Sequence, residues 1–184
     1  MSNPAPPSSP SSNQTQATHL SVCVLASGSK GNAIHISGEE THILIDAGLS
    51  GREIQRRMVE RGLSADDLDA ILVTHEHSDH IQGVGVLARR HKLPVHISRR
   101  TAQAGGGRLG KISALTHFRC GTTFTIGALE IHPFTTSHDA ADSAGFTVRC
   151  NGCKAGIATD LGIATELVKR HLKGCQLLVL EANH

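Results

Sequence analysis

The chain has 184 residues, of which 39% are hydrophobic, a composition typical of one globular domain that excludes a fibrous protein. Only 2% of the residues are aromatic, with no Trp and no Tyr, so binding of nucleic acid by extensive base stacking is excluded. The formal net charge of +2 excludes a strong general attraction to phosphate backbones, and leaves only local basic patches for such contacts.

The N-terminal segment differs in composition from the rest of the chain. Residues 1–18 are rich in Ser, Pro, Asn and Gln and contain almost no side chain that could be buried. Because burial could not offset the backbone entropy lost on folding, we predict a disordered tail over residues 1–18 and one domain over residues 19–184. Three short β-branched runs open this domain and predict strands over residues 20–27, 33–36 and 41–48.

A helix and a buried strand come next. Ser50 and Glu53 have the spacing of a capping box, which predicts a helix over residues 50–62. The continuous apolar run over residues 70–74 is typical of a strand that is buried on both faces. After a His-rich segment, the apolar spacing of residues 81–91 predicts a second helix, and a strand resumes after it.

The pattern of the second half of the chain predicts mainly strands. Residues 101–121 are Gly-rich and weakly patterned, so no element is assigned there and a flexible excursion is expected. Two hairpins follow, and Asn151-Gly152 is the strongest short hairpin signal in the chain. A helix over residues 165–173 and a last buried strand over residues 176–182 complete the pattern. Strands interleaved with helices predict an α/β fold in which two mixed sheets pack face to face between helices, a four-layer αββα sandwich.

The His-rich segment is the main candidate for a functional site, in a chain with 13 histidines. His75 and His77 stand two apart after a buried strand, so both imidazoles would project to the same side and grip one cation. Asp79 and His80 follow as the chain turns into a helix and would face a second cation about 4 Å away. Asp79 also fits a helix N-cap, and any one histidine could be a surface or core residue. Together, however, these groups would be costly to place there without a metal.

Two further ligands are expected from strand ends elsewhere in the chain. His138 follows one predicted strand, and Asp160 ends another. Taken alone, Asp160 is better explained as a helix cap and His138 as a loop residue. Their joint placement at strand ends favours the metal interpretation.

The segment Thr74 to His80, THEHSDH, resembles the H-x-H-x-D-H signature of the metallo-β-lactamase superfamily. Residues 27–32 and the TDLG, SHDAADSAGF and LEANH segments resemble the YycJ/WalJ-like group within it, and the resemblance covers residue 20 to the end. It implies that the first metal binds His75, His77 and His138, the second binds Asp79 and His80, and Asp160 bridges both. It also implies that Asp46 supports the site from outside the ligand shell.

The sequence departs from this group at its C-terminus. Members usually continue to a late histidine in a GHLS-like motif that completes the second metal site, whereas this chain stops at His184. The expectation is a metallo-β-lactamase fold that is incomplete at its C-terminus and binds the second metal more weakly. The chain would then be a fragment or an early-terminated version, unless His184 substitutes for the late histidine.

A dinuclear site of this kind predicts hydrolysis, with Asp79 and Asp160 as the catalytic carboxylates that orient the attacking water. Two divalent ions are expected, zinc first, with manganese or iron tolerated by the same donors. The resemblance implies phosphodiester hydrolysis of DNA by an exonuclease-like enzyme. The alternatives are a small-molecule hydrolase acting on a thioester, lactone or cyclic phosphodiester, and a truncated metal-binding domain of low activity. Neither a secretory signal nor a membrane span is recognised, so the cytoplasm is the expected compartment.

Three other features each have two interpretations. Cys150 and Cys153 have the spacing of a redox pair, but the residues between them favour a hairpin turn. The loop over residues 28–32 is either a phosphate cradle or a plain hairpin turn. The basic runs over residues 89–92 and 99–100 either follow a nucleic-acid backbone or form solvated helix faces.

Overall fold

The computed structural model describes residues 19–182, and within them the chain forms eleven β-strands and five α-helices. The strands are β1 (Leu20–Ala26), β2 (Ala33–Gly38), β3 (Thr41–Ile45), β4 (Ala70–Leu72), β5 (Val95–Ser98), β6 (Leu115–Phe118), β7 (Phe124–Ile126), β8 (Leu129–Thr135), β9 (Ala144–Cys150), β10 (Cys153–Leu161) and β11 (Leu177–Ala182). The helices are α1 (Gly51–Val59), α2 (Ser78–Ile81), α3 (Val84–His91), α4 (Arg99–Gly105) and α5 (Glu166–Leu172). The predicted tail over residues 1–18 and the terminal His184 lie outside the described residues.

The strands form two sheets. Sheet A has six strands in the order β1-β2-β3-β4-β5-β6, and sheet B has five in the order β11-β10-β9-β8-β7. In sheet A, β3, β4, β5 and β6 are parallel. In sheet B, β8 and β10 point the same way because both are antiparallel to β9. The carboxyl ends of β3 to β6 therefore share one edge of sheet A, and those of β8 and β10 share one edge of sheet B.

Alternate residues of β3 show how the layers pack. Leu44 belongs to an apolar cluster with Ile54 of α1, on the outer face of sheet A. Ile43 belongs to a second cluster with Phe146 of β9, between the two sheets. A third cluster joins sheet B to α5. Both faces of β3 are thus buried, the four layers of the αββα sandwich are present, and the predicted fold class is confirmed.

The predicted helix over residues 81–91 is wrong at its start. The segment forms two helices, α2 and α3, which are separated at Gly83. Gly83 N donates a hydrogen bond to Ala47 O at 2.7 Å, and a Cβ at Gly83 would lie 2.4 Å from Leu49 O. The loop that follows β3 therefore approaches this glycine too closely for any other residue, and it holds the short helix α2 in place.

Two other sequence predictions need correction. Residues 101–121 are not a flexible excursion, because they include most of α4, a 3₁₀ turn and β6, and Leu109 is buried in the core. The last strand is not buried on both faces: β11 is the edge strand of sheet B, where Leu177, Leu178 and Leu180 are 43–51% exposed. None of the helices within residues 19–182 is long and apolar enough to cross a membrane.

The hairpin prediction at Asn151-Gly152 is confirmed. Both residues have positive φ angles, 47° and 80°, as the turn between twisted antiparallel strands requires. Cys150 and Cys153 are paired across this hairpin, and both thiols are free. Burial raises the pKa of Cys150, whereas reactive cysteines have lowered pKa values, so the redox interpretation loses support.

Candidate metal centre

The predicted ligands come from separate parts of the chain that the two sheets bring together. His75 follows β4 in sheet A, while in sheet B His138 follows β8 and Asp160 stands near the carboxyl end of β10. Because these strand ends share one edge of the sandwich, their side chains meet there. All the predicted ligands lie in this one cluster: His75, His77, Asp79, His80, His138 and Asp160.

Three imidazoles form the first group of donors. His77 Nδ1 lies 3.1 Å from His75 Nε2 and 3.2 Å from His138 Nε2. In a tetrahedral zinc site with Zn–N bonds of about 2.0–2.1 Å, the donor nitrogens lie about 3.3 Å apart. These two separations are close to that spacing, and all three donor nitrogens lie within 4.8 Å of one another. His75 is fully buried, whereas His77 and His138 are partly exposed, so the open side of this group faces solvent.

The second group combines histidines with carboxylates. His80 Nε2 lies 2.6 Å from Asp160 Oδ2, and His75 Nε2 lies 3.8 Å from the same oxygen. The donor atoms of His75, His80 and Asp160 all lie within 4.8 Å of one another. Asp79 Oδ2 is 3.6 Å from His80 Nε2 on the more exposed side. Asp160 thus lies near His75, the residue that belongs to both groups.

Asp46 lies directly behind His80, where the sequence analysis placed a supporting carboxylate. Its Oδ2 is 2.8 Å from His80 Nδ1 and accepts a hydrogen bond from Thr74 Oγ1 at 2.7 Å, while its Oδ1 accepts from Thr74 N at 2.8 Å. With a cation bound, a carboxylate at this position would hold the one remaining proton of His80 on Nδ1 and leave Nε2 as the atom that binds the metal.

Asp46 and Asp160 both have unusual backbone conformations. Asp46 has a φ of 59° and Asp160 a φ of 51°, in the left-handed region that residues other than glycine rarely adopt. Aspartate tolerates this region better than most residues, but the conformation still costs free energy. Such strain is typical of functional sites, where it aims a side chain that a relaxed backbone would direct elsewhere.

Asn32 contacts both His80 and Asp79, which was not predicted from the sequence. The loop over residues 28–32 is a hairpin turn, closed by a hydrogen bond from Gly31 N to Gly28 O at 2.9 Å. It ends at Asn32, whose Nδ2 lies 3.0 Å from His80 Nε2 and whose backbone N donates to Asp79 O at 2.7 Å. The signal was the Gly-rich loop itself, but its partners are distant in sequence.

Gly48 packs against both Asn32 and Asp79. Gly48 N donates to Asn32 O at 2.8 Å, and a Cβ at this position would lie 1.6 Å from Asp79 O. The loop after β3 and the His-rich segment therefore touch through their backbones, which only glycine permits. This contact fixes the position of Asp79.

Glu76, within the His-rich segment, holds the loop that carries His138. Its Oε1 accepts a hydrogen bond from Ala141 N at 2.8 Å. Its position was visible in the sequence, but its partner is 65 positions away. The carboxylate thus connects the ligands of sheet A to the ligand loop of sheet B.

Burial and neighbouring charges move the pKa values of two histidines in opposite directions. Burial, with His80 and His138 close by, lowers the pKa of His75 to about 2. Burial also opposes the charged form of His80, but the carboxylates of Asp46 and Asp160 outweigh it and raise the pKa of His80 to about 10. The cluster therefore favours positive charge beside its carboxylates, and a divalent cation fits both this charge and the nitrogen and oxygen donors.

Comparison with known proteins assigns the family. Residues 41–184 match the model of the Beta-lactamase superfamily domain. The chain belongs to this superfamily. The chain is 40% identical over 167 residues to the exodeoxyribonuclease YycJ of Bacillus anthracis, covering 90% of this chain and 63% of that protein. It is 38% identical over 165 residues to the exodeoxyribonuclease WalJ of Streptococcus pneumoniae, covering 88% and 61%. The resemblance to the YycJ/WalJ-like group is confirmed, and the chain spans less than two thirds of the length of these relatives.

Solved structures of the superfamily share the fold. The Rm3 metallo-beta-lactamase has a TM-score of 0.69 at 20% identity, covering 86% of this chain and 74% of that one. The metallo-beta-lactamase fold protein YhfI from Bacillus subtilis has a TM-score of 0.70 at 17% identity, covering 85% and 68%. At these identities the likeness concerns the architecture alone.

Proposed function

We propose that this chain carries the catalytic centre of a metal-dependent DNA exonuclease that holds two divalent cations, zinc first. The observation that carries the proposal is the convergence of two donor groups that share His75. We assign His75, His77 and His138 to one cation and Asp79 and His80 to the other, with Asp160 between them. Manganese or iron would suit the same donors.

Side chains of this chain would orient the attacking water and the metal-binding ring of His80. When bound, the two cations supply a water of lowered pKa and offset negative charge on a phosphoryl oxygen. Asp79, whose side chain is 26% exposed, faces the open side of the cluster and accepts a hydrogen bond from the attacking water. Asp160, whose side chain is 11% exposed, orients the water from the buried side. Asp46 keeps the ring of His80 in place through Nδ1, and Asn32 holds the backbone of Asp79.

The proposal that DNA is the substrate rests on the names of two relatives. Two proteins that are 38–40% identical over most of this chain are named exodeoxyribonucleases. We place the activity in the predicted domain over residues 19–184. All five cysteines are free thiols, which fits a reducing compartment such as the cytoplasm.

The proposal is tested with protein loaded with zinc or manganese and offered three substrates. These are 5′-labelled DNA, bis-p-nitrophenyl phosphate and a thioester. We expect stepwise, salt-sensitive shortening of the DNA and hydrolysis of the phosphodiester. Preferential turnover of the thioester would instead establish the small-molecule alternative, and metal binding without turnover of any substrate would establish the low-activity alternative.

The variant His77→Ala tests the site itself. We expect it to lose both bound metal and DNA hydrolysis, because His77 Nδ1 faces both other nitrogens of its group. His19→Ala is the matched control, since exposed His19 precedes β1 at the opposite, amino edge of sheet A. DNA hydrolysis by His77→Ala at the rate of the control would refute the assignment.

A further inference from the structure

Two basic runs that are neighbours in the sequence lie at opposite edges of sheet A. Residues 89–92 end helix α3 and shortly precede β5, so they lie at the amino edge of the sheet. Arg99 and Arg100 directly follow β5, and Arg119 directly follows β6. Because β4, β5 and β6 are parallel, these three arginines share the carboxyl edge with His75.

Arg99, Arg100 and Arg119 line one cavity of about 510 Å³. All three are exposed, and within residues 19–182 none of them takes part in an ion pair or a side-chain hydrogen bond. Asp142 is the one carboxylate among the described residues that line the cavity. The cavity therefore presents an excess of positive charge, with its guanidinium donors available to a ligand.

The cavity is joined to the metal centre through a single loop. Asp142 lies on the loop that carries His138, and its carbonyl oxygen accepts a hydrogen bond from Thr101 Oγ1 at 3.0 Å. The same loop is held by Glu76 through Ala141 N. Four residues of extended chain span at most about 14 Å, so the cavity begins within that distance of His138.

We infer that this cavity binds the backbone phosphates of the DNA strand whose terminal linkage lies at the metal centre, an inference that rests on the proposed nuclease function. Guanidinium groups match phosphate oxygens in geometry and charge. Strands β5 and β6 lie one and two strand spacings from β4, roughly 5 and 10 Å. This corresponds to about one to three nucleotides of helical rise at about 3.4 Å each. The arginines thus contact phosphates a few nucleotides from the scissile linkage.

The test removes the three charges and keeps a shorter, uncharged polar side chain at each position. The variant carries Arg99→Gln, Arg100→Gln and Arg119→Gln. The control carries Arg61→Gln, Arg90→Gln and Lys92→Gln, which removes the same charge from the amino edge. Binding of a fluorescent single-stranded oligonucleotide with phosphorothioate linkages is followed by anisotropy in zinc-loaded protein, as a function of salt.

Three phosphate contacts contribute about 2 to the slope of log affinity against log salt, at about 0.7 per contact on a single strand. We therefore expect the slope to fall by about 2 and the affinity at about 0.1 M salt to fall by about 100-fold, with a much smaller change in the control. A loss of affinity equal to that of the control would overturn the inference.

Neutral linkages provide a second, independent readout. A methylphosphonate placed a few linkages from the oligonucleotide end should weaken binding to the wild-type protein and leave binding to the arginine variant unchanged. Equal weakening in both proteins would also overturn the inference. Failure of the nuclease proposal is seen separately, because hydrolysis of DNA and of bis-p-nitrophenyl phosphate is measured on the wild-type protein alone.

Discussion

Replacing Asp46 with Asn removes the charge of a buried side chain and almost none of its volume. The carboxylate of Asp46 accepts hydrogen bonds from Thr74 N and Thr74 Oγ1 and lies 2.8 Å from His80 Nδ1. An amide has one accepting oxygen and one donating nitrogen, so it fails to satisfy all three partners. If the oxygen faces His80, the NH₂ group opposes the N–H of Thr74. If the NH₂ group faces His80, the proton of His80 moves to Nε2, the atom that should bind the cation.

Both orientations weaken the site, and the magnitudes follow from the contacts. A buried polar group left without its partner costs about 1–3 kcal/mol, so we expect the free energy of unfolding of the metal-free protein to fall by about that amount. Loss of the group that orients a ligand imidazole typically lowers metal affinity about 10–100-fold. We expect a decrease of that size for zinc.

Zinc affinity is measured by competition with a chromophoric chelator, and stability by urea unfolding of the metal-free protein. Asp69→Asn is the matched control, because exposed Asp69 accepts one hydrogen bond, from His42 N, at the amino edge of sheet A. If Asp46→Asn bound zinc as tightly as Asp69→Asn, the supporting role of Asp46 would be refuted.

Two further predictions concern the stability of the fold. Burial, with His42 close by, lowers the pKa of His35 to about 4, so unfolding takes up a proton between that value and about 6.5. The contribution of His35 to stability is complete above about pH 6.5 and falls by up to about 3 kcal/mol as the pH drops towards 4. Urea unfolding of His35→Leu should therefore show a shallower pH dependence than the wild-type protein, and an unchanged dependence would contradict this role of His35. Gly48→Ala should displace Asp79 and lower both the melting temperature and the zinc content. Gly107→Ala is the control and should retain both, because a Cβ there meets nothing within 4 Å. Normal zinc content in Gly48→Ala would refute the proposed dependence of Asp79 on its backbone contact with Gly48.

Sequence alone was sufficient for features that depend on neighbouring residues in the chain. The turn at Asn151-Gly152 follows from the positive φ angles that these two residues tolerate, and the burial of both faces of β4 follows from its continuous apolar run. The His-rich segment predicted a metal site because so many polar groups near the end of a buried strand need a common partner. His138 and Asp160 were found because strand ends of a layered fold meet at one edge.

Only the tertiary structure decided the contacts between distant segments. Asn32 contacts His80 across 48 positions, and Gly48 is required by a backbone that approaches it from α2. The helix break at Gly83 has the same cause, since the loop after β3 lies against it. The two basic runs looked equivalent in the sequence, yet the direction of β5 places one at the metal centre's edge and the other at the opposite edge. Local patterns encode the conformation of a segment, whereas its neighbours, and hence its function, depend on how the strands are ordered and directed in the sheets.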